Sequence, residues 1–332
     1  MTAESASGAD VTAASPVSPG DLLARRLLFV TGKGGVGKTT VAAALARLGA
    51  ERGLRVLVCE MDAKGALADA FELPSLEFAA REVEPGLFAM AMNTEDSLRE
   101  YLRIFVRLPL ITKLGPLART FDFVADAAPG VKEILAVGKL CHEVRQRTYH
   151  LVVVDAEATG HVISQIDAPR AIQELVQVGL IRDQTAWMID LLEDPATTGV
   201  VVVTTPEEMP VVESIELIET LRSTTRVDVA ALIANRVLPE PFAGNEERLF
   251  ETLAEQGSPA HDRLTEVAGA AVDQVLGAAR LAARLRRTGA DHLATLRAAV
   301  PDVELILVPE LYARSGGRRT VELVATALGE EF

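Results

Sequence analysis

The sequence predicts an α/β fold in which a mostly parallel sheet is covered by helices on both faces. Largely apolar runs at residues 27–30, 55–62, 150–155 and 199–204 are typical of strands that are buried on both sides. Helical segments separate these runs, and alternation of strands with helices is typical of a parallel sheet. The first run leads through a glycine-rich loop into an alanine-rich helical stretch at residues 41–52.

The glycine-rich loop fits the pattern G-x-x-x-x-G-K-[ST] through Gly32, Gly37, Lys38 and Thr39. Glycines let successive backbone N–H groups curve around an anion, and the N-terminus of the following helix adds partial positive charge. We therefore expect the phosphate loop of a P-loop NTPase, in which Lys38 contacts the β- and γ-phosphates and Thr39 binds Mg²⁺. A glycine-rich turn of another α/β protein is the alternative, and the strand–loop–helix order disfavours it. The expected nucleotide contacts are Gly32, Gly34, Gly35, Val36, Gly37, Lys38, Thr39 and Thr40.

Polar residues follow two other predicted strands, at the edge where α/β sheets bind ligands. Asp155 ends the run at 150–155, as expected of a carboxylate that holds Mg²⁺, although an aspartate that caps a helix is the alternative. Asp62 ends the run at 55–62, where a carboxylate orients or deprotonates the attacking water; a loop-opening aspartate is the alternative. The segment Thr159-Gly160-His161 follows closely enough to sense the γ-phosphate, although His161 taken alone is typical of an ordinary helix start.

The remaining elements are assigned from the same patterns. Further strands are expected at residues 87–92, 227–234 and 303–308. Helical segments are expected at residues 94–147 with a break at Gly130, at 162–194, at 208–221, at 245–300 and at the C-terminus. We expect a flexible tail at 1–22 and one domain at 23–332, with helical inserts at about 94–147 and 162–196.

The segment at 245–300 is read as helices with one apolar stripe. The stripe consists of Leu264, Val267, Ala271, Val275 and Ala279. Three arginines gather near its end, where cations suit the helix dipole, so we read them as capping residues rather than a binding patch. They are Arg284, Arg286 and Arg287.

Composition excludes several classes of protein. The net charge of −14 argues against nucleic acid and anionic membranes as primary partners. No uncharged apolar run reaches 18 residues, so we expect no membrane-spanning helix, and the N-terminal tail lacks the features of a signal peptide. Cys59 and Cys141 are the only cysteines, which favours a reducing cytoplasm and excludes an iron–sulfur protein.

A second lysine in the loop, Lys33, gives the sequence K-G-G-V-G-K-T-T, which is similar to the deviant Walker A motif of MinD/ParA and arsenite-pump ATPases. The segment at 155–161 is similar to the D-T-A-P-T-G-H switch II of the ArsA and tail-anchored-protein-targeting (anion-transporting) ATPase family. Residues 62–71 resemble the end of that family's switch I, 129–133 its P-G-x-x-E motif, and 204–208 its V-T-x-P-E strand end. The resemblance runs from about residue 26 to the C-terminus.

This resemblance implies a role for individual residues. Lys33 would cross a dimer interface to the nucleotide of the other subunit, Lys38 and Thr39 would bind phosphate and Mg²⁺, and Asp62 would position water. Asp155 would be the Walker B acid. Asn235 would read the adenine edge, and Pro309 would lie beside the base. Independently, Asn235 is followed by Arg236-Val237-Leu238 and not by a guanine-reading N-K-x-D pattern, which favours ATP.

Two further functions stay open beside a cytoplasmic, dimeric Mg-ATPase switch that acts on a protein partner or client. They are the soluble ATPase of a metalloid or anion pump and a positioning ATPase of the ParA/MinD kind. Departures from the family pattern bear on this choice: Glu157 adds a carboxylate to switch II, and the Pro, His and Ser of switch I are missing. Zinc-binding C-x-x-C and a cysteine trio for arsenite are also missing, and Met188 is the only methionine in the two inserts. The sequence does not decide between a homodimer and a heterodimer with a related ATPase.

Overall fold

The computed structural model describes residues 22–62, 64–105, 131–175, 180–242, 245–269, 271–312 and 316–332. Its strands are β1 (Leu27–Gly32), β2 (Val56–Glu60), β3 (Arg81–Glu84), β4 (Leu87–Ala91), β5 (Leu151–Asp155), β6 (Thr198–Thr204), β7 (Val229–Val237) and β8 (Leu305–Pro309). Its helices up to β6 are α1 (Lys38–Glu51), α2 (Ala66–Ala70), α3 (Thr94–Phe105), α4 (Val131–Gln146), α5 (Thr159–Leu175) and α6 (Leu180–Glu193). Those after β6 are α7 (Glu208–Thr224), α8 (Glu246–Ala254), α9 (Pro259–Ala268), α10 (Val272–Ala299) and α11 (Gly317–Gly329).

The strands form one sheet of eight in the order β3-β4-β2-β5-β1-β6-β7-β8. Every neighbouring pair is parallel except β3 and β4. The predicted mostly parallel α/β sheet is therefore confirmed. Because β1 lies between β5 and β6, the loop that follows it starts at the centre of the carboxyl edge, where a bound ligand is surrounded by other strand ends.

Two apolar cores lie on the two faces of the sheet. One contains side chains of α1, α2 and α11 and the other contains side chains of α4 to α7 and α10. The central strands β1, β5 and β6 are buried over their whole length, as their continuous apolar runs require. None of the described helices is long and apolar enough to span a membrane.

Several sequence-based assignments need correction. Strand β3 was not predicted, because its residues Arg-Glu-Val-Glu are half-buried or exposed and form no apolar run. Leu22, assigned to the tail, is buried in the core. The continuous stripe at 264–279 is wrong, because the chain turns at Gly269 with a φ of 82° and leaves Val267 and Val275 exposed.

The arginine cluster at 284–287 does not cap a helix. These residues lie within α10, which continues to Ala299, so a capping role is wrong. Arg287 pairs with Glu247 of α8, and Arg286 approaches Glu240. The expected break at Gly130 and most of the predicted tail lie outside the described residues.

Burial predicts which leucines hold the sheet and its central helix together. Leu45 of α1 is 0% exposed, whereas Leu285 of α10 is 53% exposed. We expect Leu45→Ala to lower the free energy of unfolding by about 2–5 kcal/mol, because it removes apolar burial and leaves a cavity. Leu285→Ala is the control and should change it by no more than about 0.5 kcal/mol. Denaturant titration of both variants measures the difference, and equal effects would contradict the assigned core.

Candidate functional site

The loop between β1 and α1 is held in place by close contacts at two glycines. A Cβ on Gly32, whose φ is 148°, would lie 2.1 Å from the carbonyl oxygen of Val203 on β6. A Cβ on Gly37, whose φ is 95°, would lie 2.4 Å from the side-chain nitrogen of Asn235. Both positions thus need glycine for conformation and for space. Gly37 precedes α1, so the helix begins at Lys38, three residues earlier than the predicted stretch at 41–52.

Asn235 lies beneath this loop, at the carboxyl end of β7. Its buried amide nitrogen donates a hydrogen bond to the backbone oxygen of Val36 (2.8 Å), and its amide oxygen accepts one from the N–H of Arg236 (3.0 Å). Pro309 lies beside it in the sheet, because β8 pairs with β7 with Pro309 opposite Val237. The two residues expected near the base therefore share one edge, and their contacts with adenine stay predictions.

Lys38, Thr39 and Asp155 meet where α1 begins and β5 ends. The Thr39 hydroxyl donates to a carboxylate oxygen of Asp155 (2.6 Å), and the Lys38 ammonium donates to the backbone oxygen of Lys33 (3.1 Å). Burial lowers the pKa of Lys38, whereas the charge of Asp155 opposes this change. Burial raises the pKa of Asp155 to about 6, while the Thr39 hydrogen bond and the Lys38 charge oppose that shift. A neighbouring cation, either an ammonium group or a metal ion, would stabilise the ionised carboxylate of Asp155.

A hydroxyl and a carboxylate oxygen are the ligand types that Mg²⁺ prefers. Thr39 and Asp155 therefore fit the predicted metal, and the hydrogen bond between them holds both groups together at the start of α1. Among the described residues, no cluster of three or more His, Cys, Asp or Glu side chains could hold a metal by itself. This arrangement suits Mg²⁺ that is bound together with nucleotide phosphates.

The end of β2 contributes a buried carboxylate that the sequence analysis did not single out. Glu60 accepts a hydrogen bond from the backbone N–H of Ala66 (2.9 Å) and is almost fully buried. Burial raises the pKa of Glu60. Hydrogen bonds from the backbone N–H groups of Ala66, Leu67 and Gly65 oppose the shift. Its position directly before Met61-Asp62 was the available signal. Asp62 lies nearby and is half-exposed, and its carboxylate pairs with the ammonium group of Lys64.

Switch II starts at Asp155 and turns into α5. The backbone oxygen of Glu157 accepts a hydrogen bond from the buried Thr31 hydroxyl (3.1 Å), which ties the switch to the end of β1. The Glu157 carboxylate accepts one from Gln165 (3.2 Å) and lies 3.6 Å from His161. Both partners lie on α5, so the extra carboxylate of this switch is held by the helix that follows it.

Lys33 reaches away from the centre of its own loop. Its ammonium group pairs with the carboxylate of Glu213 on α7, and both side chains are about one-third exposed. Its backbone oxygen, in contrast, accepts the Lys38 hydrogen bond. No local pattern pointed to Glu213 as a partner of Lys33, because the two residues are 180 positions apart in the chain.

Fold and site together define a P-loop nucleotide hydrolase, and comparison with known proteins identifies its family. The model of the anion-transporting ATPase family matches residues 25–185 and 181–266. The chain belongs to this family and is an ATP-binding ATP hydrolase, which confirms the family and the activity expected from the sequence.

Individual relatives agree with that assignment. The ATPase BagA of Mycobacterium tuberculosis is 32% identical over 67% of this chain and 68% of its own length. A protein named as an arsenical pump-driving ATPase in Halobacterium salinarum is 27% identical over 66% of this chain and 37% of its own. An ATPase ASNA1 homolog of Entamoeba dispar is 26% identical over 64% of this chain and 76% of its own.

Asp155 should make the stability of the unliganded protein depend on pH. Its pKa rises from 3.8 to about 6 on folding, so the folded state loses stability as the pH increases through this interval. Asp155→Asn removes that loss. We expect the variant to be more stable than wild type at pH 8, by up to about 3 kcal/mol, and the difference to shrink towards pH 4.

Thermal unfolding between pH 4 and pH 8 without nucleotide measures this effect. The exposed Asp190 of α6 supplies the matched control, since Asp190→Asn should leave the pH profile unchanged. A difference between Asp155→Asn and wild type that is the same at every pH would contradict the assigned origin of the shift.

Proposed function

We propose that this ATPase is a cytoplasmic, Mg²⁺-dependent switch that dimerises around ATP and couples hydrolysis to a protein partner or client. The observation that carries the proposal is the position of Lys33. Its ammonium group is on the rim of the site, paired with Glu213, while Lys38 occupies the centre of the loop. A partly exposed lysine on this rim can leave its weak ion pair with Glu213 and reach the nucleotide of a facing subunit.

The described residues divide the chemistry among them. Bound Mg²⁺ would supply charge neutralisation for the phosphates, held through Thr39 and Asp155. Lys38 and the N-terminus of α1 bind the phosphate oxygens, since both present positive charge to the loop. Asp62 lies two residues after the end of β2 and orients the attacking water. When the γ-phosphate leaves, the Thr31–Glu157 contact transmits the change to α5.

Mixing two inactive variants tests whether Lys33 acts in the partner's site. Lys33→Ala and Asp62→Asn should each hydrolyse ATP poorly. In a mixed dimer, the Lys33→Ala subunit keeps its own Asp62 and receives Lys33 from the other subunit, so one complete site forms. Because half of randomly paired dimers are mixed and each has one complete site, we expect recovery of about one quarter of wild-type activity.

The control is a mixture of Lys38→Ala with Asp62→Asn, because both residues serve the nucleotide of their own subunit. This mixture should stay inactive. If the Lys33→Ala mixture also stays inactive while mixed dimers are detected by crosslinking, Lys33 acts within its own subunit and the proposed switch geometry is wrong.

A second candidate function is the ATPase of a metalloid pump, which the name of the Halobacterium relative favours. The thiols of this chain do not favour it. Cys59 and Cys141 are both buried, and burial raises the pKa of each, to about 12 for Cys141. Metalloids bind thiolates, so protonated core cysteines are poor ligands.

Arsenite or antimonite should therefore leave the ATPase rate unchanged. The assay compares wild type with Cys59→Ala, which lacks one of the two thiols. A stimulation that Cys59→Ala removes would support the pump and contradict our preferred function.

A positioning ATPase on membranes is also disfavoured, because the apolar side of α11 is buried against the core and is not available to lipid.

A further inference from the structure

Lys64 is a cation that the machinery described above does not use. It lies in the loop between β2 and α2, and its ammonium group pairs with the carboxylate of Asp62. Gly65 follows with a φ of 82°, which turns the chain sharply into α2. The Lys64 side chain is 77% exposed, so it can change partners without opening the core.

The surroundings of Lys64 are those of the phosphate site. The hydrogen bond and charge of Asp62 raise the pKa of Lys64, with smaller contributions from Glu157 and Glu60. The pKa of Lys38 is lowered, first by burial and also by the positive charge of Lys64. Geometry places the start of the loop that holds Lys64 beside the end of β5: Glu60 lies opposite Asp155 in the sheet, and the N–H of Met61 donates to the backbone oxygen of Asp155 (3.1 Å).

Carboxylates outnumber lysines at the edge of the sheet where Lys64 lies. Four carboxylates lie along this edge of the sheet, at or just after the ends of β2 and β5: Glu60, Asp62, Asp155 and Glu157. Glu157 stands where the resembling switch II motif has alanine, so this site holds more negative charge before ATP brings its own. Lys38 is the only other lysine at the centre of the described site, because Lys33 is directed towards Glu213. A further cation at this edge would offset that charge when the terminal phosphate binds and reacts.

We propose that Lys64 is a further catalytic residue, whose ammonium group leaves Asp62 on ATP binding and contacts the terminal phosphate oxygens. This inference rests on the proposed role of Asp62. It assigns to Lys64, a residue of the altered switch I, the role of a cation at the terminal phosphate. The hydrolysis itself is unchanged: the water oxygen bonds to the γ-phosphorus, the bond to the ADP oxygen breaks, and one water proton passes to a phosphoryl oxygen, so that ADP and inorganic phosphate leave. Lys64 stabilises the charge on the phosphoryl group. Release of Asp62 from its ion pair leaves that carboxylate free to orient the water.

Four variants test the proposal: Lys64→Ala, Lys64→Arg, Glu157→Gln and the double variant Lys64→Ala/Glu157→Gln. We expect Lys64→Ala to lower kcat by about 10- to 100-fold, since it removes a cation from the developing charge. Lys64→Arg should retain most of the activity. The double variant should recover part of the loss, because removal of Glu157's charge reduces the need for a second cation.

Nucleotide affinity provides a readout that needs neither hydrolysis nor dimerisation. Calorimetry with Mg²⁺ and either ATPγS or ADP reports whether Lys64 contacts the terminal phosphate. We expect Lys64→Ala to weaken ATPγS binding by about 10-fold and to change ADP binding by no more than about two-fold. Arg222→Ala is the control, because Arg222 also forms an exposed ion pair, with Asp302 (2.6 Å), at the opposite end of α7 from the site. It should change neither affinity.

An unchanged ratio of ATPγS to ADP affinity in Lys64→Ala would overturn the proposal. A higher kcat in Lys64→Ala would also overturn it, because Lys64 would then only restrain Asp62. Failure of the proposed function is a separate result: a wild type that does not dimerise with ATP would refute the switch, while the affinity ratio would still decide the role of Lys64.

Discussion

Negative charge concentrates at the edge of the sheet where β2 and β5 end, and the architecture of the site follows from balancing it. Asp155 is buried there and has a pKa of about 6, so its ionised form depends on the Thr39 hydroxyl, on Lys38 and on the metal expected with ATP. The loop backbone and the start of α1 provide the remaining positive potential. The polar contacts of this edge lie at the ends of strands that are buried over their whole length.

The loop between β1 and α1 is tightly confined. Gly32 passes close to β6, and Gly37 passes over Asn235, so two neighbouring strands fix the path of the backbone. Asn235 donates to the Val36 oxygen and thereby holds the loop from below. A confined loop keeps its N–H groups directed at the phosphates, whereas Lys64, whose side chain is 77% exposed, can change its contacts on hydrolysis.

The sequence predicted those parts of the molecule that depend on local pattern. The apolar runs identified the central strands, and the spacing from Gly32 to Thr39 identified the phosphate loop, because both signals are contained in short segments. Strand β3 was missed since an edge strand with exposed side chains has no apolar run. The stripe at 264–279 was wrong because the helical period continued in the sequence across a turn at Gly269. Pairs such as Lys33 and Glu213 depend on how distant elements fold together, which no local pattern records.

In the proposed switch, ATP and not ADP brings two subunits together around the nucleotide. Sedimentation velocity of Asp62→Asn with Mg-ATP and with Mg-ADP measures this most directly, since the variant should hold ATP without rapid hydrolysis. The account predicts a dimer with ATP, a monomer with ADP, and no ATP-dependent dimer when Lys38 is replaced by alanine. The same sedimentation coefficient with both nucleotides would contradict the proposed switch.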